Sequence, residues 1–217
     1  MSGTEAFIIF FNVLLVNNFI LAKFLGLCPF FGVSKKTKDA VSMGGAVIFV
    51  MLLASVVTAF INWYLLKGHS SNLFFKVMGG DDPGKFDMSF LETIVYILVI
   101  AVLVQLVEMA LMKLSPAIYR ALGIYLPLIT TNCAILGVTL LNNDFAATAP
   151  SFGIYFIKVL VQGVGAGLGF ALAMLLMSGI RERLEYMPVP KAFKGVPIAF
   201  VVAGIMAMAF MGFAGMI

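Results

Sequence analysis

Cys28 and Cys133 are the residues of this 217-residue chain best suited to redox or metal chemistry. They are its only cysteines, and each lies in an apolar stretch beside polar or helix-breaking residues: Phe24-Leu-Gly-Leu-Cys-Pro-Phe30 and Leu126-Pro-Leu-Ile-Thr-Thr-Asn-Cys133. Thiolates hold soft metals and iron–sulfur clusters, and four of them close such a site. Two make half a site, so ligation here would need a second source of thiolate. The competing reading is packing, because a free cysteine is an ordinary small buried hydrophobe. A disulfide between the two is disfavoured, since both fall at membrane depth rather than in an outer loop. There is no Cys-x-x-Cys and no Cys/His cluster of zinc spacing. His69 is the only histidine and falls in a polar loop, which argues against histidine-based acid–base or triad catalysis.

Other polar residues flank the cysteines. Asn17-Asn18, Lys23 and Gly26 precede Cys28, and Pro127, Thr130, Thr131 and Asn132 precede Cys133. Prolines and paired asparagines weaken the backbone ladder, and the freed groups must find partners inside the protein. Asparagines in membrane helices serve as interhelical glue as well as ligands. Gln105 and Glu108 form a third polar pair. A carboxylate in lipid is a functional candidate by default, yet Glu108 is close to Lys113 and could equally snorkel or pair. Lys23 and Lys158 could also reach an interface by snorkelling.

The elements that must position these residues are membrane helices. The chain is 62% hydrophobic and 11% charged, with a mean hydropathy of +1.10. Soluble domains average about 45–50% apolar and about 25% charged residues, so the solvent for this surface must be a bilayer. Segments of about 20 apolar residues span it, and six are expected, near 6–30, 40–66, 89–113, 118–142, 151–180 and 195–216. The first apolar run lacks a basic leader and is long for a cleavable signal, so none is expected. The whole of 1–217 is expected to be one membrane domain, with no nucleic-acid-binding character in its net charge of +4.

Six spans place Lys35, Lys36, Lys38, Lys113, Arg120, Arg181, Arg183, Lys191 and Lys194 on one side, and only Lys67, Lys76 and Lys85 on the other. The positive-inside rule makes the first side cytoplasmic and sends both termini outward. Gly44–Ser55 and Gly167–Ser178 match at five of twelve positions, pairing span 2 with the oppositely directed span 5. That pattern predicts two inverted three-helix repeats, 1–114 and 115–217, with helices 1 and 4 interrupted near a midplane site. Entry near Gly123 would put Cys133 about 15 Å deep at 1.5 Å per residue. A straight helix from Ala6 would carry Cys28 about 33 Å to the far side, whereas a break at Asn17-Asn18 would leave it shallower. The glycines of Gly163-Val-Gly-Ala-Gly-Leu-Gly169 are expected to let helices approach closely.

Val16-Asn-Asn-Phe19, Phe24-Leu-Gly-Leu-Cys-Pro-Phe30 with Gly32-Val-Ser-Lys-Lys36, Gln105-x-x-Glu108, Leu122 to Ala134 and Gly179-Ile-Arg-Glu-Arg183 resemble the RnfA/NqrE family of membrane proteins, and the Rnf type more than the NqrE type. The resemblance runs from about residue 7 to the C-terminal glycines, with loop 67–88 longer than in many members. It implies a subunit of an ion-translocating ferredoxin:NAD oxidoreductase in the bacterial or archaeal inner membrane. It further implies a homologous, oppositely oriented RnfE-like partner, alongside the B, C, D and G subunits. In that family each of the pair gives two cysteines to one intramembrane [2Fe–2S] cluster, and Cys28 and Cys133 match those positions. Asn17, Asn18, Thr131, Asn132, Gln105 and Glu108 are the candidates for supporting roles or an ion path. No flavin or nicotinamide site is visible, so substrate chemistry would belong to partners. The rivals are an NqrE-like subunit of a Na⁺-translocating NADH:quinone reductase, a secondary transporter built on inverted repeats, or a scaffold without redox role.

Overall fold

The computed structural model describes residues 3–66, 92–114, 128–129, 132–190 and 193–213. Among the described residues the chain is all-helical, without strands. Helix α1, Gly3–Phe11, runs into a π-helical turn, Asn12–Val16, and then stops. After an irregular stretch, α2 covers Leu27–Val33. Helix α3, Thr37–Ile61, also ends in a π turn, Asn62–Leu66. The remaining helices are α4 (Glu92–Leu114), α5 (Cys133–Thr148), α6 (Phe152–Glu185) and α7 (Val196–Met211).

Among the described residues three helical segments are long and apolar enough to cross a membrane: Thr37–Leu66, Glu92–Ala110 and Phe152–Glu185. Gly3–Val16, Cys133–Ala146 and Val196–Met211 are apolar but shorter. The described surface is greasy. Phe49, Ile94, Leu98, Phe200 and Met208 are all exposed, as expected where lipid rather than water is the surrounding solvent.

Two boundaries differ from the sequence-based expectation. Span 4 is expected to end at 142, but α5 continues through Asn142, Asn143 and Asp144 to Thr148. Asn143 is held on the helix side by bonds to neighbouring elements, so its polarity does not terminate the ladder. Span 5 is expected to end at 180, but α6 extends to Glu185. The start of span 4 and loop 67–88, with His69, lie outside the described residues, as does the entry point used to place Cys133 at depth.

The central pair is α3 against α6. Their ends are matched in opposite sense: the Thr37 N–H at the start of α3 donates to Glu182 Oε1 at the end of α6, 2.7 Å away. Trp63, just past α3, stacks on Tyr155 near the start of α6 with ring centroids 5.6 Å apart. The two helices are therefore antiparallel. Glycine lets them close up: a Cβ at Gly167 would lie 3.1 Å from Ile48 Cα, and one at Gly44 would lie 3.1 Å from Ala171 Cβ. The stripe on α6 serves two neighbours. Gly163 and Gly167 face α3, whereas Gly165 and Gly169 face Phe10 and Leu14 of the first segment.

Candidate functional site

Both cysteines begin helices. Cys28 is the second residue of α2, after Gly26 as N-cap, and Cys133 is the first residue of α5, after Asn132 as N-cap. Asn132 behaves as its type predicts at that position, its side-chain oxygen accepting the Ala134 N–H at 3.0 Å. The two caps touch. A Cβ at Gly26 would lie 2.8 Å from Asn132 Oδ1, 2.9 Å from the Phe170 ring and 3.2 Å from Ala134 Cβ. Gly26 is also left-handed, at φ +81°, so glycine is required there twice over. Next to it, Phe24 holds a left-handed φ of 55° and leaves its ring exposed.

The helix starts are thus joined while the thiols stay open: Cys28 and Cys133 are both free and exposed. Neither cysteine is buried in the core of this chain. Among the described residues no group of three or more Cys, His, Asp or Glu side chains gathers to form a complete metal site. The chemistry at hand is two thiols at two helix starts and Asn132 Nδ2, which is buried without a hydrogen-bond partner among the described residues. Such a donor at a helix start favours anionic sulfur.

The break before α2 is held by Asn18. This fully buried side chain donates from Nδ2 to the carbonyls of Leu14 (3.1 Å) and Gly169 (2.9 Å). Its Oδ1 accepts the N–H groups of Ile20 (3.0 Å) and Leu21 (3.3 Å). Asn17 points elsewhere; it is exposed and donates to Asn12 Oδ1 at 2.6 Å. At the other end of α2, Arg181 Nη1 donates to the Phe31 carbonyl (2.8 Å) and to Ser34 Oγ (3.0 Å). The Gly179 to Arg183 motif therefore ties α2 and α3 to α6.

The remaining candidates separate. Thr131 lies outside the described residues. Gln105 is exposed and Glu108 half-buried on α4, which packs on α3 and α5; no described contact brings them to the cysteines. Lys23 and Lys158 lie over the rings of Phe19 and Phe145, each 5.7 Å from the centroid.

A polar cluster that sequence reading missed lies at the far end of α3. Asn62 Nδ2 donates to Tyr96 Oη (2.7 Å) and to Asn143 Oδ1. Tyr96 Oη donates to Asn143 Oδ1 (2.7 Å), and Asn143 Nδ2 donates to Glu92 Oε2 (2.5 Å). The available signal was Asn142-Asn143-Asp144 following an apolar run in register with it.

Comparison with known proteins agrees with the helical, apolar architecture. Residues 6–217 match the family described as Rnf-Nqr subunit, membrane protein. The chain is 50% identical over 210 residues to the A subunit of the Na(+)-translocating ferredoxin:NAD(+) oxidoreductase complex of Acetobacterium woodii, covering 96% of each protein. It is 48% identical over 214 residues to the A subunit of the ion-translocating oxidoreductase complex of Serratia proteamaculans, covering 99% of this chain and 98% of the relative. The corresponding protein of Syntrophotalea carbinolica is 47% identical over 210 residues, covering 97% of this chain and 96% of the relative. This chain, with its two joined helix starts and open thiols, belongs to the Rnf-Nqr family of membrane subunits.

Proposed function

We propose that this chain is the A-type subunit of an ion-translocating ferredoxin:NAD⁺ oxidoreductase complex, and that Cys28 and Cys133 hold one side of an intramembrane [2Fe–2S] cluster. The other side would be held by two cysteines of a homologous, oppositely oriented E-type subunit. The observation that carries this reading is the contact between the caps Gly26 and Asn132, which pairs two cysteine-bearing helix starts while both thiols remain exposed. A buried cysteine pair would argue for packing, and a closed four-ligand set would need no partner.

The residues fit such a group chemically. Thiolates are the ligands of iron–sulfur centres, and outer hydrogen bonds to sulfur set their potentials. Asn132 Nδ2 is a donor of that kind with no other described use. Bound iron–sulfur would supply one-electron transfer. This chain's own part is to hold the two cysteine-bearing helix starts together through the contact of Gly26 with Asn132, and to offer Asn132 Nδ2 as a donor. Redox chemistry on ferredoxin and NAD belongs to the B, C, D and G subunits.

The same reading takes the chain as six spans in the inner membrane with both termini outside. Its support is a reciprocity in the packing. Under the repeat match, Gly44 corresponds to Gly167 and Ile48 to Ala171, and the contacts pair Gly44 with Ala171 and Gly167 with Ile48. Such exchange of partners is what a two-fold axis between repeats produces. The short helices Gly3–Val16 and Cys133–Ala146 would then be completed by the segments across their breaks.

The test is iron and visible or paramagnetic-resonance spectroscopy on the co-expressed A- and E-type pair. Cys28→Ser and Cys133→Ser should each abolish the cluster signal while the pair still co-purifies. An unchanged signal in either variant, or a wild-type pair without iron, would overturn the proposal.

A further inference from the structure

Beside the break lies a half-open cavity of about 210 Å³ whose walls are polar as well as apolar. Asn12, Asn17 and Lys23 face it from the first segment, Asp144 and Phe145 from α5, and Gln162 from α6. Asp144 reaches this place because α5 runs past the expected end of span 4.

Three observations point to a guest. Gln162 is only 4% exposed, yet its amide has no hydrogen-bond partner among the described residues. A buried amide of this kind is stable only if something in the cavity satisfies it. Asn17 uses its N–H on Asn12, which leaves its own carbonyl oxygen available. Asp144 and Lys23, opposite in charge on one cavity, do not pair: Lys23 Nζ lies over the Phe19 ring, and no described cation is within ion-pair distance of Asp144. Lys158, the other cation near this end of α5, is occupied over Phe145.

We infer that this cavity binds a monovalent alkali cation, held by the Asp144 carboxylate and the amide oxygens of Asn17 and Gln162, with Lys23 as its internal competitor. Hard cations take oxygen ligands. One carboxylate matches one positive charge, whereas a divalent ion would call for more anionic ligands and an anion would face the carboxylate. Lys23 folded onto Phe19 leaves Asp144 to the ion. Lys23 turned to Asp144 takes its place, so one carboxylate serves two cations in alternation. The inference rests on the ion-translocating reading above and adds where on this chain an ion is held.

Retention of ²²Na⁺ by the purified whole complex, measured by equilibrium dialysis without turnover, reads the site directly. Asp144→Asn should weaken Na⁺ binding at this site by about tenfold or more, as loss of a charged ligand does. Gln162→Leu should weaken it less. Lys23→Gln should strengthen it, and this opposite sign separates ion competition from misfolding. A wild-type complex that retains no ²²Na⁺, or wild-type affinity in all three variants, would leave water as the occupant and overturn the inference. The cysteine variants keep the two readings apart: loss of the cluster signal with unchanged ²²Na⁺ affinity concerns only the thiols.

Discussion

Asn18 gives both amide protons and its oxygen to four backbone groups that the broken helix leaves behind. Water at such a depth would not replace them. Each buried group left unpaired costs about 1–3 kcal/mol, so Asn18→Ala should lower the thermal midpoint of the detergent-solubilised protein sharply, by on the order of 2–4 kcal/mol in stability. Asn17→Ala removes a single exposed bond to Asn12 and should change that midpoint little. Differential scanning fluorimetry of the two variants side by side checks the contrast; equal shifts would contradict the division of labour between these adjacent residues. Gly26 is the other residue that tolerates no change. Gly26→Ala forces a left-handed alanine into the Asn132 side chain and should disturb the cysteine spacing even with both thiols present, seen as a broadened or missing cluster signal.

At the scale of elements, the antiparallel pair α3 and α6 is closed by glycine. Gly167→Leu drives a side chain into the Ile48 backbone, and overpacking of that sort costs about 1–3 kcal/mol. Gly45, one residue from Gly44, has open space where a methyl would go, with nothing within 4 Å. Gly45→Ala should therefore be neutral or stabilising by up to about 1 kcal/mol, and unfolding midpoints compare the two. Much of this was legible beforehand. The paired asparagines and Gly26 announce the break in the first segment, and the glycine run announces close packing, because both depend on local backbone chemistry. The match of Gly44–Ser55 with Gly167–Ser178 set span 2 beside span 5 as expected repeats, and these are the segments found packed together. The Asn62, Tyr96, Asn143 and Glu92 cluster was not legible, since its members come from three helices and meet only through tertiary contact. Asp144 was missed for a related reason: Asn142-Asn143-Asp144 reads as a loop until Asn143 is seen bonded across to α4, which lets the helix continue.

For the whole molecule, the matched ends of α3 and α6 sort the polar groups. Arg181, Glu182, Ser34 and Thr37 gather at one end, where the sequence is rich in lysine and arginine. Asn62, Tyr96 and Asn143 gather at the other. With Cys28 and Cys133 replaced by serine, a reporter at Thr148→Cys should react with an impermeant maleimide from outside intact cells. Tyr186→Cys, at a residue 90% exposed, should react only after permeabilisation. The reverse pattern would invert the proposed orientation. The clamp made by Asn18 has a consequence for biogenesis. Asn18 closes the interruption before α2 with groups of this chain alone, so that part of the proposed site needs no partner to form. Under the proposed cluster reading, maturation would then be a sequence of separate events, with membrane insertion first, pairing second and metallation last. The interval between the first and last is when two exposed thiols stand open to oxidation.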